Sequence, residues 1–195
     1  MVRFQQMGIT RLFIQLISGR ASDYERLALP GNLGTAQTSL MLPQIFHLPH
    51  YAVRILYGLP EQTEANFLVS ARFCCKYHAP EIIFSRFTVP SGAAWQALPV
   101  SQSPMPALQE AQSIPHAARE HLLEKGYIEY LPDHFALPGF ASRHELALSG
   151  KEDFLSFGPG TISRTDGIAC QTTPVLSRYI ACADQPEKLY TVIHA

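Results

Sequence analysis

The chain predicts an α/β fold with a parallel sheet, followed by a smaller α+β part. Three observations predict it. Leu12–Ile17, Tyr51–Tyr57 and Glu81–Phe87 are apolar runs of strand length. Helical segments bounded by capping and turn residues separate them. From Tyr127 onward the texture changes to short strand-like pieces punctuated by Gly and Pro. Strands spaced by helices build βαβ units, and such units pair their strands in parallel.

The elements follow in order. Gly8 marks a turn before the first strand. Ser22-Asp23 is a cap for a short helix, Tyr24–Leu29, which Pro30-Gly31 stops. A second helical stretch covers Thr35–Phe46, with Pro43 as a kink or break. The second strand runs through Arg-Ile-Leu-Tyr-Gly-Leu-Pro-Glu-Gln-Thr, Arg54 to Thr63, which reads as a strand, a sharp turn and a helix start. Thr63 is the predicted N-cap of Glu64–Tyr77, where Phe67, Leu68, Ala71 and Cys75 keep helical spacing. Residues 88–104 hold Pro90, Gly92, Pro99 and Pro104 and read as a linker. Leu108–Lys125 is helical, restarts at Pro115 and closes at Gly126. Strand-like pieces follow at Tyr127–Leu131, His134–Leu137, Phe154–Phe157 and Thr161–Ser163, then a helical stretch from Thr173-Pro174 to Tyr190. The predicted organisation is 1–87 as the βα part, 88–126 as linker and helices, and 127–195 as the smaller domain.

Composition excludes several classes. The chain has 195 residues, 47% of them hydrophobic, enough for one core plus a small appendage. Net charge is −1 and no basic stripe is visible, so nucleic-acid binding is not expected. No apolar run approaches the roughly 20 residues that span a bilayer. Met1–Ser18 lacks a continuous apolar segment of the secretory kind. Cys74, Cys75, Cys170 and Cys182 lack the close, regular spacing of a metal or iron–sulfur site. They read as reduced thiols, and the expected location is cytoplasmic.

Three segments carry a resemblance. These are Gly8–Ser18, Arg54–Thr63, and the pair Asp133–Gly139 with Asp153–Ser163. In this order they are similar to the radical S-adenosylmethionine (SAM) enzymes of the oxygen-independent coproporphyrinogen III oxidase and haem chaperone family. Gly-Ile-Thr-Arg-Leu resembles the family's fourth barrel strand. Tyr-Gly-Leu-Pro-Glu-Gln-Thr resembles its fifth strand and turn. Phe-Ala-Leu-Pro-Gly and Phe-Gly-Pro-Gly-Thr-Ile-Ser resemble its C-terminal domain. The resemblance implies the last three βα units of a partial (β/α) barrel, followed by the family's small C-terminal domain. It also implies, for the family, oxidative decarboxylation of coproporphyrinogen III or haem trafficking, with SAM and a [4Fe–4S] cluster.

The match departs from the family where its chemistry lies. The Cys-x-x-x-Cys-x-x-Cys cluster loop and the Gly-rich second strand have no counterpart in this sequence. The fourth-strand Gln falls at Ile17, with Gln15 two residues earlier on the same strand face. A later Arg falls near Pro30. The fifth-strand Asp, an acceptor for the SAM ribose, is Arg54, which has donors only. Arg54, Tyr57 and Gly58 are thus degenerate SAM-site positions, and this chain alone is expected to use neither SAM nor a cluster.

Each remaining candidate has two readings. Arg54 either pairs outward with Glu61 or Glu64, or faces the former cofactor cavity and binds an anion such as a propionate. His144, in Ser-Arg-His-Glu-Leu, is either an exposed or hydrogen-bonded histidine in a turn, or an axial ligand of haem iron, as the resemblance to the haem chaperone branch implies. His134 is expected to be held by Asp133 or a backbone carbonyl. Gly158–Thr161 is a tight turn or an anion cradle. Arg143 and Arg164 are surface residues or propionate partners. The expected functions are a residual tetrapyrrole-binding protein, half of a split enzyme, or an inactive interaction module. An unpaired edge at Leu12–Ile17 invites a second copy or a partner that supplies the missing half barrel.

Overall fold

A computed structural model describes residues 6–26, 31–88, 106–150, 152–182 and 184–193. The extreme N-terminus, the position near Pro30 and most of the 88–104 linker reading lie outside these residues. The described chain forms two compact units, which meet at Ala141 and Ser142.

The first unit contains, in order, β1 (Arg11–Leu16), α1 (Ala21–Arg26), α2 (Leu33–Ile45), β2 (His50–Tyr57), α3 (Glu64–Lys76), β3 (Glu81–Arg86), α4 (Leu108–Ser113), α5 (His116–Glu124), β4 (Ile128–Leu131) and β5 (His134–Ala136). Its five strands form one sheet in the order β1-β2-β3-β5-β4. β1, β2 and β3 are parallel, as the alternation of strand and helix predicts. β5 adds antiparallel to β3, and β4 antiparallel to β5. The change of texture at Tyr127, read from sequence as a domain boundary, is therefore a change of strand direction inside the first sheet. The hairpin turns through Asp133, whose φ of 62° lies in the left-handed region.

Strand alternation sorts the side chains into two faces. On one face Ile14, Val53 and Ile82 lie in register, as do Leu16, Ile55 and Phe84. This face packs against Leu40 of α2, Phe67, Ala71 and Cys74 of α3, and Ala118 and Leu122 of α5 to form the core. Phe67 is fully buried and meets the Phe84 ring edge-on at 4.9 Å. Thr63 caps α3 by accepting a bond from the Asn66 N–H, as predicted. α2 runs on past Pro43 to Ile45, so the predicted break does not occur. Asn32 caps α2, accepting from the Thr35 N–H. Ser22 and Asp23 lie within α1 rather than ahead of it; Asp23 instead accepts the Ser18 hydroxyl at 2.5 Å.

The loop after β1 lies tightly against α3. A Cβ on Gly19 would stand 2.8 Å from Ser70 Cα and 2.9 Å from Phe73 Cβ, and the Gly19 N–H donates to Ser70 Oγ at 2.9 Å. These are backbone and Cβ atoms of one packed helix, which leave no room to yield. Gly19→Ala is expected to lower stability by about 2 kcal/mol through overpacking. A urea midpoint unchanged from the wild type would contradict this packing.

The second unit holds α6 (Arg143–Ser149), β6 (Ile162–Thr165), β7 (Ile168–Thr172), α7 (Leu176–Ala181), α8 (Pro186–Leu189) and β8 (Tyr190–Ile193). β6, β7 and β8 form an antiparallel sheet. The helix read from Thr173 to Tyr190 is divided at Cys182, where α7 ends, and its last residue opens β8. The strand expected at Phe154–Phe157 reduces to one bridge between Phe154 and Arg164.

Candidate functional site

The second face of the first sheet carries Gln15 and Arg54, two of the positions that the resemblance singles out. Arg11, Phe13 and Gln15 of β1 lie opposite His50, Ala52 and Arg54 of β2. Ala52 and Arg54 in turn lie opposite Glu81 and Ile83 of β3. The structure thus brings Gln15 and Arg54 side by side. The Gln15 side-chain amide donates to the Arg54 carbonyl at 3.2 Å. The Arg54 guanidinium stands 5.6 Å above the Phe13 ring, and that of Arg11 stands 5.8 Å from the same ring. Glu64, one of the two expected partners of Arg54, accepts from the Ala117 N–H at 2.8 Å and so caps α5.

A second polar group on this face was not read from the sequence. Glu81 is 0% exposed. Its carboxylate pairs with Arg11 and accepts the Tyr130 hydroxyl. The Tyr130 ring lies edge-on to His134 at 5.9 Å, and His134 Nδ1 is bound to the Pro132 carbonyl at 2.8 Å. The backbone-carbonyl reading of His134 is therefore the one observed. An acid that opens a strand reads from sequence as a solvated end. Only strand pairing places Arg11 and Tyr130 against it.

Tyr57 and Gly58 do not share the face of Arg54. Three residues beyond it, Tyr57 points to the helix-covered side and meets Phe67 at 6.0 Å, ring edge to face. Desolvation raises its phenol pKa. Gly58 takes a φ of 77° at the turn and packs beside Ala111 of α4. The turn is fixed by Gln62. Its Oε1 accepts from the N–H groups of Gly58 at 2.7 Å and Leu59 at 3.3 Å, and its Nε2 donates to the Leu56 carbonyl at 3.1 Å. The shape of the Tyr-Gly-Leu-Pro-Glu-Gln-Thr turn is thus explained by backbone geometry.

In the second unit, His144 lies in the first turn of α6. Ser142 caps this helix by accepting from the Glu145 N–H at 3.3 Å. Arg143 and His144 are exposed and, with Leu146, Ala147 and Glu152, line a cleft of ≈ 480 Å³. Gly158–Thr161 is a closed turn. The Gly158 carbonyl accepts from the hydroxyls of Thr161 at 2.9 Å and Thr172 at 2.7 Å, and its N–H donates to the Tyr179 hydroxyl at 3.1 Å. Arg164 stacks 5.6 Å above Phe154.

A [4Fe–4S] cluster needs three or four thiolates converging on it. Cys74 and Cys75 are neighbours on α3, Cys170 is on β7 and Cys182 caps α7; all four are free thiols. Burial pushes the thiol pKa of Cys74 and Cys75 up, which disfavours the thiolate a metal requires. Among the described residues no three His, Cys, Asp or Glu side chains could hold a metal ion. These residues do not fit a cluster, and Arg54 does not supply the ribose acceptor of a SAM site. Among the described residues no helix is long and apolar enough to cross a membrane.

The fold has a counterpart among solved structures. The solved structure of coproporphyrinogen III oxidase (HemN) from Escherichia coli, a radical SAM enzyme, superposes with a TM-score of 0.78 at 18% identity, covering 100% of this chain and 48% of that one. Among curated proteins, the heme chaperone HemW of Haemophilus influenzae is 24% identical over 153 residues, 78% of this chain and 39% of that protein. No family model matches. By fold the chain is similar to HemN, and by sequence it is similar to HemW. It spans less than half the length of either relative.

Proposed function

We propose that this chain is a tetrapyrrole-binding protein of the HemN/HemW-like group, acting in the cytoplasm, which does not carry out radical SAM chemistry by itself. The observation that carries the proposal is His144, exposed on α6 with Arg143 beside a cleft of ≈ 480 Å³. A neutral imidazole nitrogen is an axial ligand for haem iron. A guanidinium pairs with a propionate through two parallel hydrogen bonds. The heme chaperone relative supports haem as the ligand, and the coproporphyrinogen oxidase fold supports a coproporphyrin. The substitution of Arg54 for the family's acid, and cysteines unfit for a cluster, support the loss of catalysis.

Titration of the purified chain with haem and with coproporphyrin III, followed in the Soret band, tests the assignment. Saturable haem binding at micromolar concentration is expected, and His144→Ala should weaken it at least about tenfold, the loss of an axial ligand bond. Binding of metal-free coproporphyrin III should be much less sensitive to that change. Absence of saturation with both ligands would reject the proposal.

A second reading is an interaction module. Among the described residues β1 pairs only with β2, and Phe13 on it is 46% exposed. An unpaired parallel edge of this kind accepts a strand from a second copy or from a partner that completes the barrel.

A further inference from the structure

A second cleft, on the helix side of the first unit, has the chemistry of an anion site. It encloses ≈ 510 Å³ where the ends of α3 and α5 meet, within the size range of small-molecule sites. Arg72 and Lys76 of α3, His78 just beyond it, and His121 and Lys125 at the end of α5 line it, and among the described residues no carboxylate does. Two of the chain's four lysines are here, in a protein of net charge −1. Leu137, Cys75 and the buried ring of Tyr127 form an apolar wall. The Tyr127 hydroxyl is already spent on the Ala79 carbonyl at 2.6 Å.

Cations gather at helix C-termini for an ordinary reason, since each helix end carries about half a negative charge. Two helix ends therefore offset roughly one unit of charge. Arg72, Lys76 and Lys125 bring three permanent positive charges, so an excess remains. The terminal carbonyls are also occupied. The Tyr77 N–H bonds to the Phe73 and Cys74 carbonyls, and the Lys125 N–H to those of His121 and Leu122. His121 Nε2 is buried without a hydrogen-bond partner among the described residues. Its pKa is lowered first by burial, then by Arg72 and Lys125, with Glu124 opposing.

We infer that this cleft binds a small organic anion, its apolar body against Leu137 and Tyr127 and its carboxylate or phosphate group between Arg72, Lys125 and His121. The inference is independent of the tetrapyrrole reading, because His144 lies in the other unit.

The test is a histidine-resolved NMR titration of the 195-residue chain, with His121 assigned through His121→Gln. The probes are 3-phenylpropionate, phenyl phosphate and, as a neutral control, benzyl alcohol. Saturable shifts of the His121 signals with either anion are expected, and which anion saturates separates a carboxylate from a phosphate ligand. The bound anion should raise the His121 pKa, because an opposite charge within 4–6 Å favours the charged imidazolium. Lys125→Glu and Arg72→Glu change exposed residues, and each should weaken binding about tenfold or more while the amide spectrum stays that of a folded chain. Non-saturating shifts, equal binding of benzyl alcohol, or unchanged affinity in both folded variants would overturn the inference.

Discussion

Arg11→Met is expected to be among the most destabilising single changes in this chain, lowering stability by about 3 kcal/mol. Glu81 is fully buried at the start of β3, and Arg11 is its charge partner across the sheet. Removing the arginine leaves a carboxylate out of water with only the Tyr130 hydroxyl to satisfy it. Breaking one side of a buried pair costs about 3–5 kcal/mol, and the lower figure suits a pair whose Arg11 side chain is 22% exposed. Replacing both partners by apolar residues of similar size removes the stranded charge as well. Arg11→Met with Glu81→Met should therefore recover most of the loss. Urea unfolding of the single and double variants decides the point. A double variant as unstable as Arg11→Met would show that the ion pair is not the cause.

The second large effect is at the turn. Gln62→Met keeps the length and much of the volume of the side chain but removes its three hydrogen bonds. The N–H groups of Gly58 and Leu59 are buried, and each orphaned donor costs about 1–3 kcal/mol. A loss of about 3 kcal/mol is expected, with the urea midpoint falling and the slope of unfolding unchanged. Thr63→Ala, which removes only the cap on α3, should cost about 1 kcal/mol by comparison. If Gln62→Met were as mild as Thr63→Ala, the turn would be held by something other than Gln62. The two effects lie at opposite ends of the parallel strands, one at the starts of β1 and β3 and one beyond the end of β2, and share no partner, so they should add.

These two residues also mark what a sequence can and cannot disclose. The parallel strands were legible because Val53, Ile55, Ile82 and Phe84 alternate or cluster in runs of strand length. Thr63 was legible as a cap because capping is local. Gln62 sits in a motif that stands out by resemblance, yet its role is set by three backbone groups that fold back on it. Nothing local to Glu81 signals its burial, because Arg11 and Tyr130 come to it from 70 and 49 residues away along the sheet. α6 was read as a turn because seven residues give too little periodicity to see. Arg54 and Gln15 were both noted, but their adjacency follows only from the β1–β2 register. The cationic cleft needed the packing of α3 on α5, which no local pattern records.

The sheet face and the second unit then carry different parts of the functional account. The first shares the strand framework of the HemN fold, and on it Arg54 stands where the resemblance leads one to expect an acid. The second presents His144 and Arg143 beside a cleft. Paired calorimetric titrations of the same protein with haem and with SAM measure both parts at once. The account predicts saturable heat with haem at micromolar concentration and none with SAM. Saturable SAM binding without haem binding would contradict it, returning the chain to the cofactor chemistry of its relatives.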